Sequence, residues 1–161
     1  MRKLLVAVFV ALLMAGCGGP DLDDKKTLDG IIAEAIDKDK LQRRSKKGET
    51  LYHATSQQTP YTGWAKRMYD NGQISLLVQC TDGKFHGLWT RWYTHGQKRA
   101  EETYKDGKLV TTVVWKPNGE KCPVTKVVDG IGVVVFYDEA GMELWRQTYK
   151  DGEKDDTKFP D

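Results

Sequence analysis

The chain is expected to be mainly β: an antiparallel meander of four β-hairpin repeats, about eight strands, preceded by one amphipathic helix. Two ladders of glycine predict the hairpins. Gly72, Gly96, Gly119 and Gly141 recur at spacings of 24, 23 and 22, and Gly83, Gly107, Gly130 and Gly152 recur at the same three spacings. A fixed period of this size marks a repeat architecture. The glycines sit in turn signals such as Asp70-Asn71-Gly72-Gln73, Pro117-Asn118-Gly119-Glu120, Lys105-Asp106-Gly107-Lys108 and Lys150-Asp151-Gly152-Glu153. Asn-Gly and Asp-Gly between strand-like runs signal hairpins, because these residues tolerate the positive φ of tight β-turns.

The chain opens on Met1-Arg2-Lys3, then an apolar run of eleven residues, Leu4 to Met14. About 20 apolar residues are needed to span a bilayer, so residues 1–16 read as a signal peptide rather than a membrane span. Leu13-Met14-Ala15-Gly16-Cys17 resembles the bacterial lipobox, with methionine where leucine is usual. The resemblance implies that Cys17 is lipidated and becomes the new N-terminus. Each buried methylene contributes roughly 0.8 kcal/mol, and two acyl chains hold a protein stably on a membrane. The expected address is therefore the bacterial cell envelope. Gly18 replaces the aspartate that retains enterobacterial lipoproteins in the inner membrane, which favours the outer one.

Residues 17–27 are rich in Gly, Pro, Asp and Lys and read as a flexible tether. Leu28, Ile31, Ile32, Ala35 and Ile36 form a helical stripe that Leu41 extends, with Asp24 and Asp29 near its start and Arg43-Arg44 at its end suiting the helix dipole. The stripe is expected to dock on the β domain, since its polar face carries both signs of charge, unlike a basic membrane-surface helix. The rest of segment 28–59 reads as loop, apart from a possible edge strand at Leu51-Tyr52.

The repeat domain spans 60–154, followed by a polar tail, 155–161. Its strands are expected at Trp64 to Tyr69, Ile74 to Cys80, Leu88 to Tyr93, Lys98 to Tyr104, Thr111 to Lys116, Lys121 to Val128, Val133 to Tyr137 and Leu144 to Tyr149. Laid flat, the sheet would be roughly 35–40 Å across. Alternation places Trp64, Met68, Leu88, Trp92, Val113, Trp115 and Phe136 in one register, the expected core. Arg67, Tyr69, Trp89, Arg91 and Tyr93 fall in the other. This second set is the candidate partner-binding strip, because clustered aromatic and Arg side chains dominate interface energetics. Its alternative role is cross-strand stabilisation of the sheet.

Beyond Cys17 the cysteines are Cys80 and Cys122. Four strands apart, about 19 Å in a flat sheet, they are too distant for a disulfide and read as separate thiols. They lack the ligand spacing of a metal site, and no cofactor motif is present. Once the signal is removed, 23 basic residues face 23 acidic ones, which argues against nucleic-acid binding through bulk charge. His53, His86 and His95 have no Ser, Cys or carboxylate at triad spacing, so no enzyme is expected.

Tyr61-Thr62-Gly63-Trp64, Met68-Tyr69-Asp70-Asn71-Gly72-Gln73, Asp82-Gly83-Lys84-Phe85-His86-Gly87-Leu88-Trp89, Trp92-Tyr93-Thr94-His95-Gly96-Gln97-Lys98 and Tyr104-Lys105-Asp106-Gly107-Lys108 resemble MORN repeats of the second, bacterial variant. The match runs from Pro60 to Lys154. It departs at Val110, at Lys116-Pro117, at Cys122-Pro123 and at Ala140. The resemblance implies stacked β-hairpins. For function it implies either the antitoxin of a toxin–antitoxin system, a label many bacterial members carry, or a lipid or protein scaffold. An antitoxin meets its toxin in the cytoplasm, whereas a lipobox sends this chain out of it. The leading expectation is a membrane-anchored, non-catalytic module that binds a protein partner, with envelope glycan as the alternative ligand.

Overall fold

The structure, a computed structural model, describes residues 19–46, 49–55 and 57–156. Cys17, the expected signal peptide at 1–16 and tail residues 157–161 lie outside them. The described chain is mainly β, with one α-helix and a large, mostly antiparallel sheet.

Helix α1 spans Lys25–Glu34. Asp24 caps it, its carboxylate accepting from the Thr27 amide at 2.8 Å and from the Thr27 hydroxyl at 2.6 Å. The helix ends at Ala35, short of the expected end of the apolar stripe, because Ala35 turns to extended φ/ψ. Ile36 belongs to β1 (Ile36–Asp37) and Leu41 opens β2 (Leu41–Lys46), with a short 3-10 turn, Lys38–Lys40, between them. Arg43 and Arg44 therefore lie on a strand and not at a helix C-terminus. β2 pairs with β3 (Glu49–Ala54) as a separate two-stranded sheet, so the possible strand at Leu51-Tyr52 is present and extends into residues expected as loop. The tether reading needs correction as well. Leu22 is buried, packed with α1 and the sheet, and Asp23 pairs with Lys98 at 2.8 Å.

The large sheet is a meander of β4 (Gly63–Met68), β5 (Ile74–Thr81), β6 (Lys84–Trp92), β7 (Lys98–Lys105), β8 (Lys108–Val114), β9 (Lys126–Val128), β10 (Ile131–Tyr137), β11 (Glu143–Lys150) and β12 (Glu153–Lys154), in spatial order. β1 adds to the β4 edge in parallel, the one departure from antiparallel pairing in this sheet.

The turns follow the glycine ladders. At one end Tyr69, Tyr93, Lys116 and Asp138 each donate an amide to the residue four ahead. The same residues accept from the amides of Gly72, Gly96, Gly119 and Gly141. At the other end Asp82, Asp106, Asp129 and Asp151 have φ of 49–53° and are each followed by a glycine at positive φ. Two successive left-handed residues make the type I′ turn whose twist matches a hairpin. These turns also stack. The Gly107 amide donates to Phe85 O, that of Gly130 to Val110 O, and that of Gly152 to Gly130 O.

The inner face of the sheet is covered, and the outer face in part, each by a different means. On the outer face α1 lays Leu28, Ile31 and Ile32 over Ile74, Leu77, Trp92, Trp64 and Leu88, the docking that the apolar stripe predicts. On the inner face the sheet covers itself. Register shifts between Arg67 and Met68, Val78 and Cys80, Arg91 and Trp92, Thr103 and Tyr104, and Phe136 and Tyr137 mark irregularities in successive pairings. Each such bulge bends its strand and adds twist. The accumulated bend folds β10 and β11 back over β6, so the flat width does not apply. A second cluster, including Leu109, Val114, Val127, Val134, Phe136 and Tyr149, fills the curl.

The expected core register is corrected in three places. Phe136 is buried on the inner face instead, while Met68 and Val113 are exposed, at 40% and 37%. α1 covers only the β4–β6 end of the outer face, which leaves Val113 uncovered. Cys80 and Cys122 are both free and buried in different clusters.

Candidate functional site

The inner face of the curl is where the candidate strip lies, and the structure divides it. Tyr93 is fully buried and Tyr69 half-buried, both at the Gly72–Gly96 end of the hairpins. The Tyr69 hydroxyl donates to Trp92 O at 2.7 Å and the Tyr93 hydroxyl to Trp115 O at 2.8 Å. Each tyrosine thus ties its hairpin to the next one. Burial is the main cause that raises both phenol pKa values, so the hydroxyls stay donors. Arg67 is exposed and paired with Asp39 at 2.6 Å.

Trp89 and Arg91 are brought together. They are two residues apart on β6, hence on one face, and the guanidinium carbon lies 5.2 Å from the Trp89 ring centre. It also lies 5.0 Å from the Phe136 ring, which itself stacks on Trp145 at 4.8 Å. Guanidinium over an aromatic face is an electrostatically favourable contact. Arg99 extends the run, 5.8 Å from Phe136 and 5.4 Å from Tyr93, with Nη2 donating to Tyr137 O at 2.6 Å.

Beside Trp89 a cavity of about 370 Å³ opens inside the curl. Trp89, Phe85, Tyr104, Trp145 and Tyr149 give it aromatic walls; Arg91, Glu102 and, from β12, Glu153 and Lys154 supply charge. Phe85 meets Trp89 edge-on at 4.5 Å, and Tyr104 is 5.6 Å from Trp89. Beyond Phe85 the surface continues to Tyr52, 4.6 Å away, and Arg43 of the small sheet. A volume of this size falls at the small end of the range for small-molecule sites.

Glu102 is the unusual member. It is opposite Trp89 in the β6–β7 register and is 1% exposed. Its Oε2 lies 3.5 Å from Arg91 Nη2, near enough for charge attraction but without a hydrogen bond. Among the described residues Trp89 Nε1 is also buried with no partner. A buried polar group left unsatisfied costs about 1–3 kcal/mol. Burial pushes the Glu102 carboxyl up from its ordinary value, against the pull of Arg91 and Lys154. Burial and then Glu102 raise the Tyr149 phenol to about 12, and the Tyr104 phenol is raised further by the same causes. Lys38, 5.7 Å over Trp89, is shifted the other way: burial and then repulsion from Arg67 lower its pKa.

Sequence reasoning passed over Glu102. The signal was present: Ala100, Glu102 and Tyr104 alternate, placing a carboxylate in the register of buried residues. Trp145, Tyr149 and Lys154 had none, because only the curl carries β11 and β12 to β6. The histidines stay apart from the cavity, with His86 on Asp106 at 3.1 Å and His95 on Pro117 O at 3.1 Å. Among the described residues no three His, Cys, Asp or Glu side chains gather as a metal site, and no helix is long and apolar enough to cross a membrane.

In comparison with known proteins, no family model, no curated protein and no solved structure matches the chain.

Proposed function

We propose that this chain is a lipid-anchored, non-catalytic recognition module of the bacterial envelope, built from four MORN-like hairpin units, that holds its partner in the inner face of its curled sheet. The single observation that carries the reading is the cavity beside Trp89. It is walled by aromatic rings, edged by Arg91 and Lys154, and backed by the buried Glu102 side chain, whose Oε2 has no hydrogen bond. Rigid aromatic and Arg groups converging on one concavity are the residues that dominate binding energetics. The proposed anchor is Cys17, acylated after removal of residues 1–16, which holds the module at the membrane while the hairpins face their partner.

The anchor and the recognition face are tested separately. Cys17→Ser is expected to move the protein from the membrane fraction to the soluble one; retention on the membrane would refute the anchor. Crosslinking capture from intact envelopes is expected to lose its principal partner in the Trp89→Ala/Arg91→Ala double variant. Undiminished capture by a double variant with native circular dichroism would refute the recognition face.

A further inference from the structure

We infer that the ligand of the cavity beside Trp89 is a neutral saccharide segment, its C–H face stacked on the aromatic wall and its hydroxyls bonded to Trp89 and Glu102. The inference rests on the recognition reading above and names the ligand class of that site. Its basis is the pair of unsatisfied atoms. Trp89 Nε1 can only donate, and Glu102 Oε2, when ionised, can only accept. The two residues face each other across the β6–β7 ladder and both line the cavity.

Each ligand class meets this pair differently. A cation would satisfy Glu102 and stack on the rings, but it would leave the indole N–H without a partner and meet Arg91 and Lys154. An anion would accept from the indole and pair with Arg91, but it would face the Glu102 carboxylate. A purely apolar group would satisfy neither atom. A hydroxyl donates and accepts, so two neighbouring hydroxyls complete both atoms with no net charge brought in. A pyranose also presents an apolar C–H face to the Phe85, Tyr104 and Trp145 rings, and aromatic faces favour such contact. Seating it requires the Trp89 and Glu102 side chains to turn toward the cavity as the sugar enters.

The test is calorimetric titration of the detergent-solubilised full chain with four probes: chitotriose, maltotriose, choline and inorganic phosphate. At least one saccharide is expected to bind saturably, and choline and phosphate are not. Trp89→Phe, which keeps a ring but deletes the N–H, and Glu102→Leu, which removes the acceptor, are each expected to weaken saccharide binding at least tenfold. Circular dichroism checks that both variants fold. Should Glu102→Leu not fold, Trp89→Phe and competition by free saccharide against indole fluorescence quenching carry the test. Saccharide binding that is indifferent to Trp89→Phe overturns the proposal, as does preferential binding of choline or phosphate. If no saccharide binds while crosslinking still captures an envelope protein through Trp89 and Arg91, the ligand class falls and the recognition reading stands. If both experiments are blank, both fall.

Discussion

The guanidinium of Arg91 rests 5.0 Å from the ring centre of Phe136, although their strands, β6 and β10, are four steps apart in the sheet. A flat sheet would separate them by about 19 Å. The contact therefore reports a curl that turns one face of the meander into an interior. Everything distinctive about the candidate site follows from it: a carboxylate that would be solvated on an open sheet becomes buried, and β11 and β12 close one side of a cavity.

Glu102 makes stability depend on pH in a direction opposite to the usual carboxylate. Burial raises its pKa from the ordinary 4.5. The folded state thus keeps a proton that the unfolded chain has released, and stability falls as pH rises through the folded value. Its contribution is complete below about pH 4.5 and lost above the raised folded pKa. Urea denaturation across this interval is expected to show the decline, and Glu102→Gln is expected to flatten it. Arg91→Met deepens it, costing about 3 kcal/mol at neutral pH because the carboxylate loses its cation. A wild-type profile with no such decline would contradict the buried carboxylate.

Two turn glycines with similar φ should tolerate alanine unequally. Gly107 has φ +86° and nothing within 4 Å of an added Cβ, so Gly107→Ala bears only the left-handed penalty, about 1–2 kcal/mol. At Gly130, φ +76°, the Cβ would fall 2.5 Å from Gly152 N and 2.9 Å from Leu109 O, backbone atoms held by the stacked turns. Gly130→Ala is expected to lower the melting temperature at least twice as far as Gly107→Ala. Equal shifts would mean that the turns do not stack.

Tyr93→Phe keeps the ring and removes the hydroxyl, with its bond to Trp115 O and its contact with Arg99. The expected loss is about 1–2 kcal/mol, read from urea midpoints, with an unchanged denaturant slope. A neutral substitution would show that the hydroxyl does not tie the hairpins together.

The turns were the most legible part of the sequence. Asp82-Gly83 and Asp106-Gly107 need positive φ at both residues, a local requirement that composition announces and the backbone meets. The stripe at Leu28, Ile31 and Ile32 was legible for the same reason, and its docking followed. Its end was not: Ile36 and Leu41 keep the helical spacing, yet pairing with β4 and β3 draws them into strands, a tertiary competition that periodicity does not record. Face assignment failed at Phe136, because Val127 pairs with both Thr112 and Gly132, which puts Phe136 on the face of Thr112 and not of Val113, a register set across strands that alternation within one strand does not record. The strip was legible as a register and not as a surface. Trp89 and Arg91 face a cavity, while Tyr69 and Tyr93 spend their hydroxyls between hairpins. Glu102 stood in the pattern unread, since a carboxylate at a strand position is ordinarily solvated.

Site-specific photo-crosslinking in intact envelopes probes the central claim most directly. One probe replaces Trp145 on the inner face and another replaces Val113 on the outer face, positions of nearly equal exposure, 38% and 37%. The account predicts a discrete adduct from position 145, competed away by the bound ligand, and none from position 113. Capture from 113 with none from 145 would contradict it.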